Sequence, residues 1–131
     1  MEVNFHPRWG MLAGIGTNED FQSFYLEYKR TLAGESFVPY GVLGLARWQG
    51  NQGAPITSTD PSFLYEDFMS PSERQEGKIS ETLIYPGIGI QYLQLSGEWR
   101  GFSVFAQLSL FMDVMDLEIG PEVGFGSTWY F

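Results

Sequence analysis

Apolar and polar residues alternate with a period of two in six stretches of the chain, and this alternation predicts β-strands. In Phe102–Leu110 every second residue is apolar, which gives the strand one wholly apolar face, whereas the residues between them are mixed. The other five stretches are Trp9–Gly16, Gln22–Arg30, Phe37–Trp48, Ile84–Leu93 and Val123–Phe131. Val3–Phe5 and Phe63–Met69 are candidates for two further strands. The only helix that the pattern permits is a single turn at Ser72–Gly77.

The predicted strands are joined by turns rich in Gly, Asn, Asp and Ser, with one exception. The exception is the acidic segment at about 50–78, which is too long to be a simple turn. With 131 residues, the chain is long enough for one domain and too short for two independent cores. We therefore expect a single all-β domain, residues 1–131, with one long exposed loop.

The two faces of the strands differ in a way that favours an outward apolar face. The mixed faces are rich in glycine, which weakens a water-facing strand but makes room for large side chains inside a narrow barrel. We expect Tyr25, Phe105 and Tyr130 to use this room. The mixed faces also carry four charged residues, which we interpret as an internal polar network: Glu27, Lys29, Arg47 and Glu122. The facing of Phe37–Trp48 is ambiguous, so the place of Arg47 is the least certain of the four.

Aromatic residues cluster near the predicted strand ends, as the interfaces of a membrane select. One set is expected at the end where the chain terminates: Trp9, Tyr28, Tyr92, Trp99, Trp129 and Phe131. A second set is expected at the opposite end: Phe21, Trp48 and Phe111. Together with the apolar faces, these two girdles predict a closed antiparallel up-and-down β-barrel that spans a bilayer.

Composition excludes several classes of protein. The net charge of −9 leaves no basic footprint for nucleic acid. The absence of cysteine excludes disulfides and thiolate metal sites. No stretch is long and apolar enough for a membrane-spanning helix. The first residues do not resemble a secretory signal peptide. This counts against export if the sequence is the complete natural product. It is neutral if Met1 was placed before a mature chain.

The last seven residues, Phe125–Phe131, resemble the terminal β-signal of bacterial outer-membrane barrels. Gly126, Trp129 and Phe131 occupy the glycine and the two aromatic positions of that signal, although the residue before the glycine is usually polar and here is Phe125. Pro39–Gly44 and Pro86–Ile90 are also similar to strand starts of small OmpA/OmpX-type barrels.

The resemblance implies a bacterial outer-membrane location, with membrane lipid and the outer-membrane assembly machinery as partners. Barrels of this kind have even strand numbers from eight upwards. Six strands are evident and eight are expected, so two strands are either weakly patterned or supplied by another chain or segment.

No catalytic or metal motif stands out. His6 is the only histidine, and no serine accompanies it in a motif of the kind that a lipid-modifying hydrolase would need. Asp113, Asp116 and Glu118 form one acidic turn, and Glu66 and Asp67 form another. Either turn offers oxygen ligands for Ca²⁺, but the spacing is not that of an EF-hand, and solvated carboxylates are the simpler interpretation. We expect no cofactor, no bound metal and no enzymatic activity.

The segment at about 50–78 is the best candidate for recognition of a protein partner, because barrels carry function on exposed loops. Its candidate contact residues are Phe63, Tyr65, Glu66 and Asp67. The favoured function is a structural or surface-recognition barrel. One alternative is a soluble lipocalin-type barrel, with the apolar faces inward around a small apolar ligand. Another is an outer-membrane hydrolase that modifies lipid A.

Overall fold

The computed structural model describes residues 2–6, 8–17, 20–50, 55–59 and 62–129, with backbone only for residues 2–6 and Phe63. Seven strands and two short helices are present in these ranges. The strands are β1 (Glu2–His6), β2 (Trp9–Thr17), β3 (Phe21–Thr31), β4 (Phe37–Gly50), β5 (Ser80–Leu93), β6 (Phe102–Asp113) and β7 (Ile119–Trp129). The helices are α1 (Ser62–Asp67) and α2 (Pro71–Glu76).

The strands form one sheet in the order in which they occur along the chain, and every neighbouring pair is antiparallel. All six evident strands of the sequence pattern are confirmed. The candidate strand at Val3–Phe5 is also confirmed, as β1. The candidate strand at Phe63–Met69 is wrong, because Ser62–Asp67 forms α1. The single turn expected at Ser72–Gly77 is confirmed as α2, whose first turn Ser70 and Glu73 close with a capping box.

The sheet is open between β1 and β7 in the part of the chain that is described. Each of these two strands pairs with a neighbour on one side only. The predicted up-and-down order is therefore present, whereas the predicted closure is not seen.

The open sheet is nevertheless strongly curled. Inward side chains from strands that are not neighbours in the sheet meet across the interior. Lys29 Nζ of β3 donates to Gln91 Oε1 of β5 at 2.7 Å, and Gln107 Nε2 of β6 lies 3.4 Å from Glu27 Oε2 of β3. A flat sheet would hold β3 and β6, which are three strands apart, about 14 Å apart. The side chains of Gln107 and Glu27 could not meet across that distance, so their contact requires curvature around a common axis.

The two ends of the curled sheet differ. The terminal end carries the last residues of β7 and the β3–β4 and β5–β6 connections. The capped end carries the β2–β3 and β6–β7 turns and the connection from β4 to β5. The described part of that connection, residues 55–59 and 62–79, folds over the end of the sheet, and we call it the cap. It is not the exposed loop that the sequence predicted.

The main hydrophobic cluster lies at the capped end, between the sheet and the cap. Leu64 of α1 and Leu83 of β5 are fully buried in it. Its other members come from both layers: Phe21, Ala46, Ile56, Phe68, Met69, Ile79, Tyr85 and Phe111. The cap therefore supplies the apolar contacts that the outward faces of the strands do not.

Candidate functional site: an apolar outer face around a polar interior

The outer face of the sheet is apolar and exposed. Ile88 in the middle of β5 is 66% exposed, and Phe125 of β7 is 77% exposed. Exposed large apolar residues also occupy outward positions on the other described strands from β2 onward: Met11, Ile15, Leu26, Leu43, Leu45, Ile90, Leu108, Leu110 and Val123. A soluble monomer rarely exposes a contiguous apolar area of this extent. The outward apolar face inferred from the period-two pattern is confirmed.

A belt of aromatic side chains surrounds the terminal end. Trp129 of β7 lies 6.0 Å from Trp99 and 5.8 Å from Phe102, measured between ring centroids. Further round the sheet, Phe37 and Tyr92 lie 5.0 Å apart and Trp9 and Tyr28 lie 6.4 Å apart. The described members of the first predicted girdle thus lie together at the terminal end, while Phe131 lies outside the described residues.

The second predicted girdle is wrong. Phe21 and Phe111 face inward and are buried in the cluster beneath the cap, and Trp48 packs against that cluster. Phe21 and Trp48 meet edge to face with ring centroids 5.5 Å apart. Phe21 lies two residues from the inward Ser23, and Trp48 lies two residues from the inward Ala46, so both point inward. The prediction used only their position near strand ends and did not consider which face they share.

Arg47 also faces the opposite way from the prediction. It is exposed on the outer face of β4, where its guanidinium donates to Thr82 Oγ1 and, at 2.6 Å, to Ser80 Oγ of β5. The inward positions of β4 are instead Val42, Ala46 and Trp48. Arg47 therefore belongs to a polar strip on the outer face near the capped end and not to the interior network.

The interior holds a polar network that includes the other charged residues. Lys29 donates to Gln91, and its ammonium lies 4.3 Å from the ring centroid of Tyr40. Tyr40 in turn donates to Gln107 Oε1 at 3.2 Å, and Gln107 also reaches Glu27. Buried polar groups need such partners to offset desolvation. Glu27 and Lys29 are confirmed as interior residues, while Gln91, Gln107 and Tyr40 are members that the search for charged residues missed.

Glu122 of β7 lines an interior cavity of about 350 Å³ together with Glu27, Tyr85 and Gln107. The cavity is bounded by residues of β3, β4, β5, β6 and β7, so five strands surround one space. Glu122 is thereby confirmed as an interior residue. The cavity has room for several water molecules.

Aromatic rings cover interior glycines, as the sequence predicted. A Cβ added at Gly14 would collide with the ring of Tyr25, and one added at Gly126 would collide with the ring of Phe105. The same relation holds between Gly44 and Tyr85. The glycines therefore allow rings on neighbouring strands to lie flat against the wall. The expected partner Tyr130 lies outside the described residues.

The residues predicted as recognition contacts at the start of α1 differ in exposure. Leu64 is fully buried, and Tyr65 is half-buried beneath Arg74, whose guanidinium lies 4.0 Å from the ring centroid. Glu66 and Asp67 are exposed, as expected. The side chain of Phe63 is outside the description. At the described positions of this segment, the structure therefore provides no exposed apolar anchor.

Polar contacts fasten the cap to itself and to the sheet. Arg74 donates to the carbonyl oxygens of Tyr65, at 2.6 Å, and Met69, at 2.9 Å. Asp20 in the β2–β3 turn accepts from the backbone amides of Thr57 and Ser58 at 3.0 and 2.7 Å. These bonds satisfy backbone groups that would otherwise be left without partners in a segment with little regular structure.

At the edge of the cap, Lys78 and Glu76 form an exposed ion pair of 2.8 Å. The hydrogen bond between them lowers the pKa of Glu76 and raises the pKa of Lys78. Both groups are in water, so the pair adds little to stability.

The terminal motif is partly described. Gly126 and Trp129 lie in β7, with Gly126 inward beneath Phe105 and Trp129 outward in the aromatic belt. Phe131 lies outside the described residues. The side chain of His6 is also undescribed, so its place relative to any nucleophile stays open.

The acidic turn is arranged differently from the prediction. Asp113 is 2% exposed and is not a solvated turn carboxylate. It lies with Asp116 and with Glu81 of β5, and one carboxylate oxygen from each lies within 4.8 Å of the other two. Glu118 is not part of this group. Glu81 was missed because 32 positions separate it from Asp113, and only the β5–β6 pairing brings them together.

Neither of the two helices in the described residues is long or apolar enough to cross a bilayer. No protein-family model matches the chain, and neither a curated protein nor a solved structure matches it.

Proposed function

We propose that this chain is an integral β-barrel protein of a bacterial outer membrane, with a structural or surface-recognition role and no enzymatic activity. The observation that carries the proposal is the exposed apolar outer face, which surrounds an interior that holds a hydrogen-bonded polar network. In water the exposed apolar face is unfavourable. In a bilayer the apolar face meets lipid, and the polar groups stay enclosed.

The height of the apolar band fits a membrane. On β5 the outward positions are apolar from Ile84 to Tyr92, and polar residues begin at Thr82. Eight residues at about 3.4 Å each span roughly 27 Å along the strand, or about 21 Å after a tilt of about 40°. The apolar belt of outer-membrane barrels is about 25 Å tall. The aromatic belt of the terminal end then lies at one interface, and the polar strip around Arg47 at the other.

Strand direction supports a closed barrel of eight strands. Because the seven strands alternate in direction, β1 and β7 run the same way. Direct pairing of these two edges would be parallel. One further strand between them, antiparallel to both, would complete an all-antiparallel barrel with the even strand number of this class. The backbone groups along both edges require such a partner in lipid, where water cannot satisfy them.

The alternatives fit less well. A soluble lipocalin-type barrel needs the apolar faces of its strands inward around a cavity, whereas here the apolar faces point outward and are exposed. The cavity beside Glu27 and Glu122 is lined by aromatic rings as well as by polar groups, so its lining does not separate the two classes. A lipid A-modifying hydrolase needs a histidine beside a nucleophile, and the sequence around His6, the one histidine of the chain, holds no serine in such a motif. The capped end remains the candidate surface for a partner, through exposed polar residues such as Glu66 and Asp67 rather than through an apolar anchor.

The test is refolding from urea with and without detergent micelles, followed by far-UV circular dichroism and by gel electrophoresis of boiled and unboiled samples. We expect β-structure only with detergent, and an unboiled band that migrates differently from the boiled one. A monodisperse, β-rich species in plain buffer would refute the membrane assignment. The outer apolar face would then be covered by association between chains.

A further inference from the structure

Three carboxylates converge at the capped end of the sheet. Glu81 is the second residue of β5, Asp113 is the last residue of β6, and Asp116 lies in the turn that follows. One oxygen from each lies within 4.8 Å of the other two. Glu81 is 9% exposed and Asp113 is 2% exposed, so two of the three carboxylates are withdrawn from water.

The buried carboxylate of Asp113 is only half satisfied. Its Oδ1 accepts from the backbone amides of Met115 and Asp116, at 2.8 Å from the latter. Its Oδ2 is buried and accepts no hydrogen bond from the described residues. A buried anionic oxygen without a partner is costly. Glu81 can be that partner only in its protonated form, because a carboxylate is only an acceptor. Burial and the hydrogen bond with Asp113 raise the pKa of Glu81 to about 7, so a proton is the alternative to a cation at this place.

We propose that Glu81, Asp113 and Asp116 together bind one calcium ion, with Asp113 Oδ2 as its buried ligand. Oxygens on opposite sides of Ca²⁺ lie about 5 Å apart, because each bond is about 2.3–2.6 Å long. The spacing of the three carboxylate oxygens is therefore one that a single ion bridges. The ion also gives Asp113 Oδ2 the positive partner that it lacks. This site departs from the sequence expectation, which placed no metal on the chain.

The donor set selects a hard cation. All three ligands are carboxylates, which suit Ca²⁺, Mg²⁺ and Mn²⁺ and do not suit metals that prefer nitrogen or sulfur. Asp116 is exposed, so one side of the site is open to water molecules that complete the coordination. Three protein ligands from a strand, a strand end and a turn form an irregular set, which the flexible coordination of Ca²⁺ tolerates better than the strict octahedron of Mg²⁺.

The ion would connect elements at the rim of the capped end. Glu81 lies two residues after Ile79, the last residue of the cap and a member of the hydrophobic cluster. Asp116 belongs to the β6–β7 turn. Calcium would therefore join the end of the cap to the turn before β7, and its removal would loosen that turn. The proposal does not rest on a membrane location, because the three carboxylates converge in any medium in which the chain folds.

The test uses the folded full-length chain, stripped with EDTA, dialysed and titrated with CaCl₂ by isothermal titration calorimetry. We expect one Ca²⁺ per chain with a dissociation constant on the order of 10⁻⁴ M, and a higher midpoint of urea unfolding in excess CaCl₂. Glu81→Gln and Asp116→Asn should each weaken binding by about tenfold or more, because each removes one charged ligand. Glu118→Gln removes the same charge from the same turn but lies outside the group, so it should bind as the wild type does.

Two results would overturn the proposal. The first is the absence of saturable binding to the wild-type chain at millimolar CaCl₂, in which case a proton shared between Glu81 and Asp113 is the partner of Oδ2. The second is equal binding by wild type, Glu81→Gln and Asp116→Asn, which would place the ion elsewhere. Both variants change residues at the rim while Asp113 is kept, and circular dichroism of each variant verifies that it has folded before titration.

Discussion

Replacing Ile88 with arginine gives the sharpest test of what surrounds the outer face. Ile88 lies midway between Ile84 and Tyr92, the limits of the apolar band on β5. It is 66% exposed, and its pairing neighbours on the outer face are Gly41 and Leu108. The arginine side chain would therefore point away from the protein, with few protein contacts to lose or gain.

The expected magnitude depends on the surroundings. At the midplane of a bilayer, arginine on the lipid face of a barrel costs about 2–4 kcal/mol. That corresponds to roughly a 30- to 700-fold shift toward the unfolded state. On a water-facing sheet, a substitution at such an exposed position changes the free energy of unfolding by about 0.5 kcal/mol or less. The changes in the free energy of unfolding expected in lipid and in water differ by more than the error of an unfolding measurement.

The assay is urea unfolding of Ile88→Arg in lipid vesicles, monitored by tryptophan fluorescence. Leu95→Arg is the matched control, because Leu95 is 48% exposed in the β5–β6 connection, outside the apolar band. We expect Ile88→Arg to lose about 2–4 kcal/mol and Leu95→Arg to change by about 0.5 kcal/mol or less. Equal, small effects of both substitutions would refute the assignment of the outer face to lipid.

Three further predictions concern the cap, the interior and the open edge. Leu64→Ala should destabilise the cap by about 2–5 kcal/mol, because Leu64 is fully buried; limited proteolysis should then cut the cap first, and unchanged resistance would argue against a packed cap. Gly44→Ala should lower the free energy of unfolding by about 1–3 kcal/mol, because the added methyl group would collide with the ring of Tyr85. In the same urea-unfolding assay Gly124→Ala should be close to neutral, because a Cβ at Gly124 meets nothing within 4 Å. Equal effects of the two substitutions would contradict the interior packing. In the folded barrel, hydrogen exchange should be slow at the β7 amides that do not bond to β6, and fast exchange at those amides would indicate that the sheet stays open.

The strands and the direction of their faces could largely be predicted, because the period of two is a local property. In Phe102–Leu110 the inward residues Ser103, Phe105, Gln107 and Ser109 are the mixed set, as the pattern indicates. Phe37–Trp48 was harder, since both parities carry apolar residues. There the inward parity is set by Ala46 and Trp48 beneath the cap, a contact between distant parts of the chain.

The cap could not be predicted as a folded unit, because its structure depends on long-range packing. Leu64 and Phe68 have the i, i+4 spacing of a helix face, and this was the one local signal for α1. Six residues are too few for a helix to be stable alone. The helix exists because these two side chains enter the cluster that contains Phe21 and Phe111. From the sequence these two aromatic residues were expected in an outer girdle, so the cluster could not be predicted.

The terminal motif supports the membrane proposal less than the outer face does, once its residues are placed. Gly126 is required by interior packing alone, because the ring of Phe105 occupies the space of its Cβ. Trp129 is explained by its contacts with Trp99 and Phe102, whether or not an insertion machinery recognises it. A soluble sheet with the same interior would need the same glycine. A soluble monomer with the same interior would not leave Ile88 and Phe125 exposed, and the membrane proposal therefore rests on this exposure rather than on the terminal residues.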